Sequence, residues 1–351
     1  MADYSNRSEA GAHAFTLPAM RAVVIPEFGA PDVLRLESVP DPEPSSREVL
    51  VRVGASGVNR ADLLQRRGLY PPPPGASEVP GLEFAGVVEA VGAAVTRWRP
   101  GDRVMGIVAG GGYAERVVVD ERVTVGVPAG MDMAVAGAIP EVYMTAWDAV
   151  FRQAGLKRGE TLLVHAVGSG VGTAAVQLAR RAGAKTIGTS RTPSKLERAA
   201  ELGLGLGLDG REAWDEAVMA ATAGRGADVI LDLVGAPYLA GNQAAIAVGG
   251  RHVVVGVPGG SRSEIDLRSL MARRARLFGT VLRARGVGEK ADLARDFTAS
   301  VLPGFADGTL APAIDQVLPA SRVADAHRRM EANENFGKIV IVWGAEVWDE
   351  G

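Results

Sequence analysis

A chain of 351 residues, 47% hydrophobic and 23% charged, is long for one domain and has the composition of a globular enzyme with two. A net charge of −3 makes no electrostatic case for nucleic acid or an anionic membrane surface, and no apolar run reaches the ~18 residues of a membrane-spanning helix. Cysteine is absent, which excludes disulfides, thiolate nucleophiles and thiolate zinc sites; His13, His165, His252 and His327 share no metal-ligand spacing, so no metal is expected.

Residues 1–19, MADYSNRSEAGAHAFTLPA, lack the basic and apolar regions of a signal peptide. They read as a disordered extension. Translation from Met20 would remove nothing the fold needs, and a cytoplasmic location is the default. Met20–Glu37 alternates as β structure around the turn Gly29-Ala30-Pro31-Asp32. Glu48–Val58 is a second β run, Asn59–Arg67 a short helix, and Pro71–Pro74 part of a stiff loop. Short strands follow at Val79–Val91, Arg103–Val108 and Ala114–Val119, an all-β, barrel-like unit.

From Asp132 to Gln153 the pattern turns helical, and Thr161–Ala166 is an apolar strand that runs into Gly168, Gly170 and Gly172. A helix pattern (Thr173–Ala182) and a second strand (Lys185–Ser190) complete a βαβ opening of the kind that binds dinucleotides. The glycines allow a tight turn and close approach of a pyrophosphate at the helix N-terminus. An NAD site places an acid at the end of the second strand, about 20 residues past the glycines. Here the segment reads Ser190-Arg191-Thr192-Pro193-Ser194-Lys195. Hydroxyls and two cations suit a 2′-phosphate, so NADPH is the expected cofactor; Thr192-Pro193 also fits an ordinary helix start.

Further strands at Val229–Asp232, Arg251–Val257 and Leu277–Leu282 alternate with helices near Trp214–Ala223 and Tyr238–Ala247, toward a parallel sheet of six. Helix Lys290–Gly304, strand Ala313–Leu318, helix Ser321–Asn333 and strand Lys338–Trp343 then return to the first unit. The expected organisation is one discontinuous domain, 20–142 and 284–351, with a nucleotide-binding domain, 143–283, inserted.

Five segments carry a resemblance: ASGVNRADLLQRRGLYPPPPGAS (55–77), GLEFAGVV (81–88), AIPEVYMTAW (138–147), HAVGSGVGTAAVQLAR (165–180) and NENFGKIVI (333–341). With them the chain resembles the zinc-independent NADPH quinone oxidoreductases of the medium-chain dehydrogenase/reductase superfamily, in the branch of p53-inducible quinone oxidoreductase and zeta-crystallin. The resemblance implies a GroES-like β-barrel domain with an inserted Rossmann domain, a doubly wound parallel sheet, and an active site in the cleft between. Zinc-dependent relatives have Cys and His where this chain has Ser56 and Leu82, which implies catalysis without metal.

The resemblance also assigns roles. Asn59 and Tyr70 would hydrogen-bond a substrate oxygen as charge builds on it, although Asn59 also fits as a helix N-cap. Thr145 would contact the nicotinamide end, or else be a core threonine bonded to its own helix. Gly168, Ser169, Gly170, Val171 and Gly172 would meet the pyrophosphate, and Ser190, Arg191 and Lys195 the 2′-phosphate. Gly256, Val257, Val281, Leu282 and Arg283 would line the nicotinamide pocket with backbone, and Asn335 and Lys338 would close it. Leu64 replaces a second tyrosine of some relatives, and Asp209-Gly210 replaces an Asn-Tyr pair near the adenine. A homodimer through the outer strand Arg276–Leu282 is implied.

The implied reaction is hydride transfer from NADPH to a quinone, with Tyr70 or a water supplying the proton. Reduction of an activated C=C bond in an enone or enoyl thioester remains open, as does a non-catalytic NADPH-binding protein.

Overall fold

The computed structural model describes residues 19–344. Most of the leading extension, with His13, and the end of the last segment (345–351) lie outside the described residues. Strands β1 (Ala19–Val24) and β2 (Arg35–Pro40) form an antiparallel hairpin. β3 (Glu48–Val58) alternates buried and exposed residues at first and becomes wholly buried from Ala55 to Val58, where it enters the domain junction. Helix α1 (Arg60–Arg66) follows directly. β4 (Glu83–Val91), β5 (Arg103–Ile107), β6 (Arg116–Asp120) and β7 (Thr124–Gly126) complete the first pass of the barrel.

Two short helices, α2 (Met133–Gly137) and α3 (Pro140–Ala146), lead out of it, and α3 continues as a π-helical stretch over Trp147–Gln153. Then the chain alternates strand and helix: β8 (Thr161–Val164), α4 (Gly170–Arg181), β9 (Lys185–Ser190), α5 (Pro193–Glu201), β10 (Leu206–Asp209), α6 (Trp214–Ala221), β11 (Ala227–Asp232), α7 (Leu239–Ala245), β12 (Ile246–Val254), α8 (Leu267–Arg273) and β13 (Arg276–Gly279). After α9 (Val287–Ser300), α10 (Pro303–Ala306), β14 (Ile314–Pro319) and α11 (Val323–Glu331), the chain ends in β15 (Lys338–Val342).

The inserted sheet has the order β10-β9-β8-β11-β12-β13, and every neighbouring pair is parallel. This is the doubly wound arrangement, whose chain reversal between β8 and β11 opens a crevice at the strands' carboxyl ends. The other large sheet runs β14-β15-β3-β4-β5-β7, with β6 also on β3. The last strands of the chain therefore lie beside the first ones. One hydrophobic core crosses the junction: Met105 and Val125 of the barrel, Val142 and Met144 of α3, and Leu162, Val164 and Leu231 of the parallel sheet belong to it.

Several boundaries differ from the sequence reading. β12 stops at Val254 and β13 at Gly279, so Gly256, Val257 and Val281–Arg283 are loop residues beyond strand ends. Pro303 cannot donate within a helix and divides the expected Lys290–Gly304 helix into α9 and α10. The short strands β7 and β10 were not anticipated.

Candidate active site

The glycine turn has the shape its composition suggested. A Cβ on Gly172 would fall 2.6 Å from the Val167 carbonyl oxygen, so only glycine lets α4 start so close to β8. Ser169 caps α4, its hydroxyl accepting from the Gly172 N–H at 3.1 Å. A Cβ on Gly170 would lie 2.7 Å from Val142 Cγ1 and 2.9 Å from Lys338 Cδ. The turn is thus pressed against α3 and β15 of the barrel side. The Gly337 N–H donates to the Gly168 carbonyl at 2.9 Å, a second tie across the cleft.

At the end of β9, Ser190 is buried and its hydroxyl closes the local turn with Thr192. Arg191 is exposed, and its guanidinium has no hydrogen bond or ion pair among the described residues. Lys195 is engaged elsewhere. Its stem covers Gly168, and its ammonium donates to the Asn333 carbonyl at 2.5 Å. Asp209 does not face this corner as a free charge, because Arg211 binds it and holds its carboxyl low, at about 2. At the position where relatives carry a tyrosine, the Tyr238 hydroxyl donates to the Gly210 carbonyl at 3.0 Å and fills the space a side chain at 210 would need.

Asn59 sits at the N-cap of α1, and its backbone N–H donates to Asp62 at 2.8 Å. Its side chain points elsewhere. The amide nitrogen donates to Glu83 Oε1 at 2.8 Å and the Gly57 carbonyl at 3.2 Å, and the carbonyl accepts from Lys338 Nζ at 2.7 Å. Both amide protons are engaged, which corrects the expectation that Asn59 donates to a substrate oxygen; only a carbonyl lone pair remains. Lys338 is buried and also donates to Glu83 Oε1 at 2.6 Å and to the Val58 carbonyl at 2.9 Å. Among the described residues the Asn335 amide donates only to the nearby Gly337 carbonyl, so it shapes the turn before β15.

Tyr70 is half-buried, with no hydrogen bond to its hydroxyl among the described residues. Burial raises its phenol, so it stays protonated at neutral pH. Arg283 was expected to offer backbone; instead its side chain binds the Tyr70 carbonyl (2.9 Å), the Ala109 carbonyl (2.8 Å) and Gln65 Oε1 (2.6 Å). Its guanidinium lies 5.0 Å from the Tyr70 ring centroid, within cation–π range. Arg283 therefore fastens the proline-rich loop to the inserted domain. Leu282 is buried in the core, whereas Val257 and Val281 are exposed.

Thr145, buried on α3, makes no hydrogen bond through its hydroxyl among the described residues, so it is not the helix-bonded core threonine. Three carboxyls in this region escaped the sequence reading. Glu83 anchors Asn59 and Lys338. Asp62 accepts from the Tyr113 hydroxyl at 2.8 Å and is pushed up to about 6, chiefly by burial. Glu141 lies in the first turn of α3; burial first, then the charge of Glu83, pushes it up to about 8. A lone acid inside the apolar GLEFAGVV run was the available signal for Glu83.

No group of three or more His, Asp or Glu able to hold a metal occurs among the described residues. The Ser56 hydroxyl donates to the Gly112 carbonyl and Leu82 is packed in the core, so the positions of the zinc ligands in relatives offer no ligand set.

Residues 45–129 match the alcohol dehydrogenase GroES-like domain, and residues 170–298 the family model described as zinc-binding dehydrogenase. A quinone oxidoreductase of Lama guanicoe is 33% identical over 327 residues, 92% of this chain and 97% of that one. The chain belongs to the quinone oxidoreductases of the medium-chain dehydrogenase/reductase superfamily. It is a pyridine-nucleotide oxidoreductase by that membership. A mycobacterial structure solved with NADPH is 29% identical with a TM-score of 0.84, covering 92% of this chain and all (100%) of that one. The CurK enoyl reductase is 27% identical with a TM-score of 0.82, covering 92% and 99%. Among the described residues no helix is long and apolar enough to cross a membrane.

Proposed function

We propose that this chain uses NADPH to reduce a quinone by hydride transfer, without a metal. The observation that supports the reading is the packing of Gly170 against Lys338 and Val142, which brings the glycine turn, Asn59 and α3 together. Gly168, Ser169, Gly170, Val171 and Gly172 would hold the pyrophosphate. Ser190 and the unpaired Arg191 would hold the 2′-phosphate, with Lys195 joining only if it leaves Asn333. Asn59, Thr145 and the loop residues Gly256, Val257, Val281 and Leu282 would face the nicotinamide, Asn59 as an acceptor. The positions of the zinc ligands in relatives supply no ligand set, so no step runs through a metal.

When bound, the nicotinamide supplies a hydride. The protein's part is positioning and charge. The free Tyr70 hydroxyl is the donor aimed at the oxygen that becomes negative, and Arg283 holds the loop that carries it. Lys338 and Glu83 fix Asn59 in one orientation. Reduction of an enone or enoyl thioester is the second reading; the likeness to an enoyl reductase and the protonated groups beside the cleft favour it. A cytoplasmic homodimer, paired through the edge strand β13 beside the exposed Leu267 and Met271 of α8, completes the proposal. Sedimentation at two concentrations checks the dimer.

The cofactor assignment is tested by fluorescence titration of Arg191→Asp. Losing one charge-assisted contact and adding repulsion should weaken NADPH on the order of 100-fold and NADH only a few-fold. Equal losses for both would overturn the 2′-phosphate reading.

A further inference from the structure

Glu141 holds a position that the reaction outlined above leaves without a role. Pro140 starts α3, and the Glu141 N–H is fixed to Glu83 Oε2 at 2.9 Å, so the first turn is anchored to β4. Its neighbour Val142 touches the glycine turn at Gly170. Four residues on, Thr145 shares the same helix face. Glu141 is half-buried, and its carboxyl makes no hydrogen bond or ion pair among the described residues.

Four charged groups bear on it. Glu83 on β4 and Asp62 on α1 oppose a further negative charge, while Lys338 on β15 and Lys290 on α9 favour one. Neither lysine is free for it: Lys338 is held by Glu83 and Asn59, and Lys290 donates to the Arg283 carbonyl at 2.8 Å. Across the loop, Glu141 acts on Tyr70 and Arg283. The result is an unpartnered carboxylic acid with its proton on, in the first turn of the helix that packs against the glycine turn.

We propose that Glu141 is the acid that completes the reduction, a role that rests on the functional reading above. The acceptor takes a hydride, two electrons and one hydrogen, and becomes the quinol monoanion. The O–H bond of Glu141 breaks and its proton forms the second O–H of the quinol, on the negative oxygen that Tyr70 holds. The carboxylate left behind faces Glu83 and takes a proton back from water. For an enoyl thioester the same proton would go to carbon.

The test uses the full chain and reads the acid itself as well as turnover. Infrared difference spectra of the free protein, wild type minus Glu141→Gln, should show a protonated carboxyl at neutral pH that is lost on titration through about pH 8. Subtracting the variant removes Asp62 from the signal. In turnover, wild-type kcat/KM should fall above about pH 8. Glu141→Gln should be slower on the order of 100-fold, without that alkaline limb and with unchanged NADPH affinity, and Glu141→Asp should regain part of the rate. A wild-type rate and pH limb in Glu141→Gln, or no carboxyl signal, would overturn the role of Glu141 alone. A wild type that binds NADPH yet turns over no acceptor would overturn the functional reading, and this role with it, even if the carboxyl titrates as described.

Discussion

In the inserted domain, His165, Asn242, Asp232 and His252 form a closed polar network; in the cleft, Asn59, Glu83, Lys338, Asp62 and Glu141 form an open one. His165 donates to Asn242 Oδ1 at 2.6 Å and is paired with Thr189 at 2.9 Å. Asp232 takes the Val234 and Gly235 N–H groups at 2.8 Å each and His252 at 3.0 Å. Burial holds His165 down at about 4, so it is neutral, and none of these side chains has an unpartnered buried atom. In the cleft, by contrast, Asp62 Oδ1 is buried and neither it nor the Glu141 carboxyl has a hydrogen-bond partner among the described residues. Complete satisfaction gives rigidity and nothing to exchange. Incomplete satisfaction leaves carboxyls whose proton affinity lies in the working pH range, which is what acid–base chemistry needs.

The contrast can be broken most forcefully at Lys338. Lys338→Met leaves Glu83 buried and unpaired, which should cost about 3–5 kcal/mol in urea unfolding. The double variant with Glu83→Leu should recover most of that loss, since apolar replacement of a buried pair is often neutral. An unchanged urea midpoint in the single variant would mean that the pair is hydrated, and the cleft network would lose its anchor. Next in size, Asn242→Ala leaves His165 Nε2 without its partner and takes one donor from Asp232; it should cost about 2–3 kcal/mol, while the pH profile of turnover stays the same. A moved profile would mean that the closed network takes part in chemistry after all.

Glu141→Gln has the smallest effect on stability, and its sign is specific. The folded carboxyl sits at about 8, above its ordinary value of 4.5. Its contribution to stability is therefore full below the unfolded value and is lost as pH rises through about 8. Thermal melts of the variant should match wild type near pH 5 and exceed it by about 3 °C near pH 9. Parallel melting curves across that range would show that the carboxyl ionises normally.

What the sequence made legible was local. The glycine turn, the strands on either side of it and the helix after Asn59 each depend on neighbouring residues, and all stand where their patterns put them. Tertiary pairing was not legible. Glu83 and Lys338 are 255 residues apart and meet only because β15 lies beside β3 and β3 beside β4. The same pairing engages both amide protons of Asn59, so they are not free for the donor role expected of them. Arg283 looked like loop backbone, and nothing nearby in sequence announced that its side chain reaches Gln65 and Tyr70. Glu141 lies in the segment AIPEVYMTAW, where the local pattern shows only a helix residue. β10, Leu-Gly-Leu-Asp, is short, glycine-interrupted and at a sheet edge, so it had little pattern to show.

The central claim is NADPH-dependent reduction of a quinone. Its most direct test is one set of steady-state rates for the full chain, with NADPH and NADH in parallel, against 1,4-benzoquinone and crotonyl-CoA. The fastest turnover is expected with NADPH and the quinone, with NADH at least ~10-fold poorer if Arg191 holds the 2′-phosphate. Faster reduction of the thioester, or a preference for NADH, would contradict it.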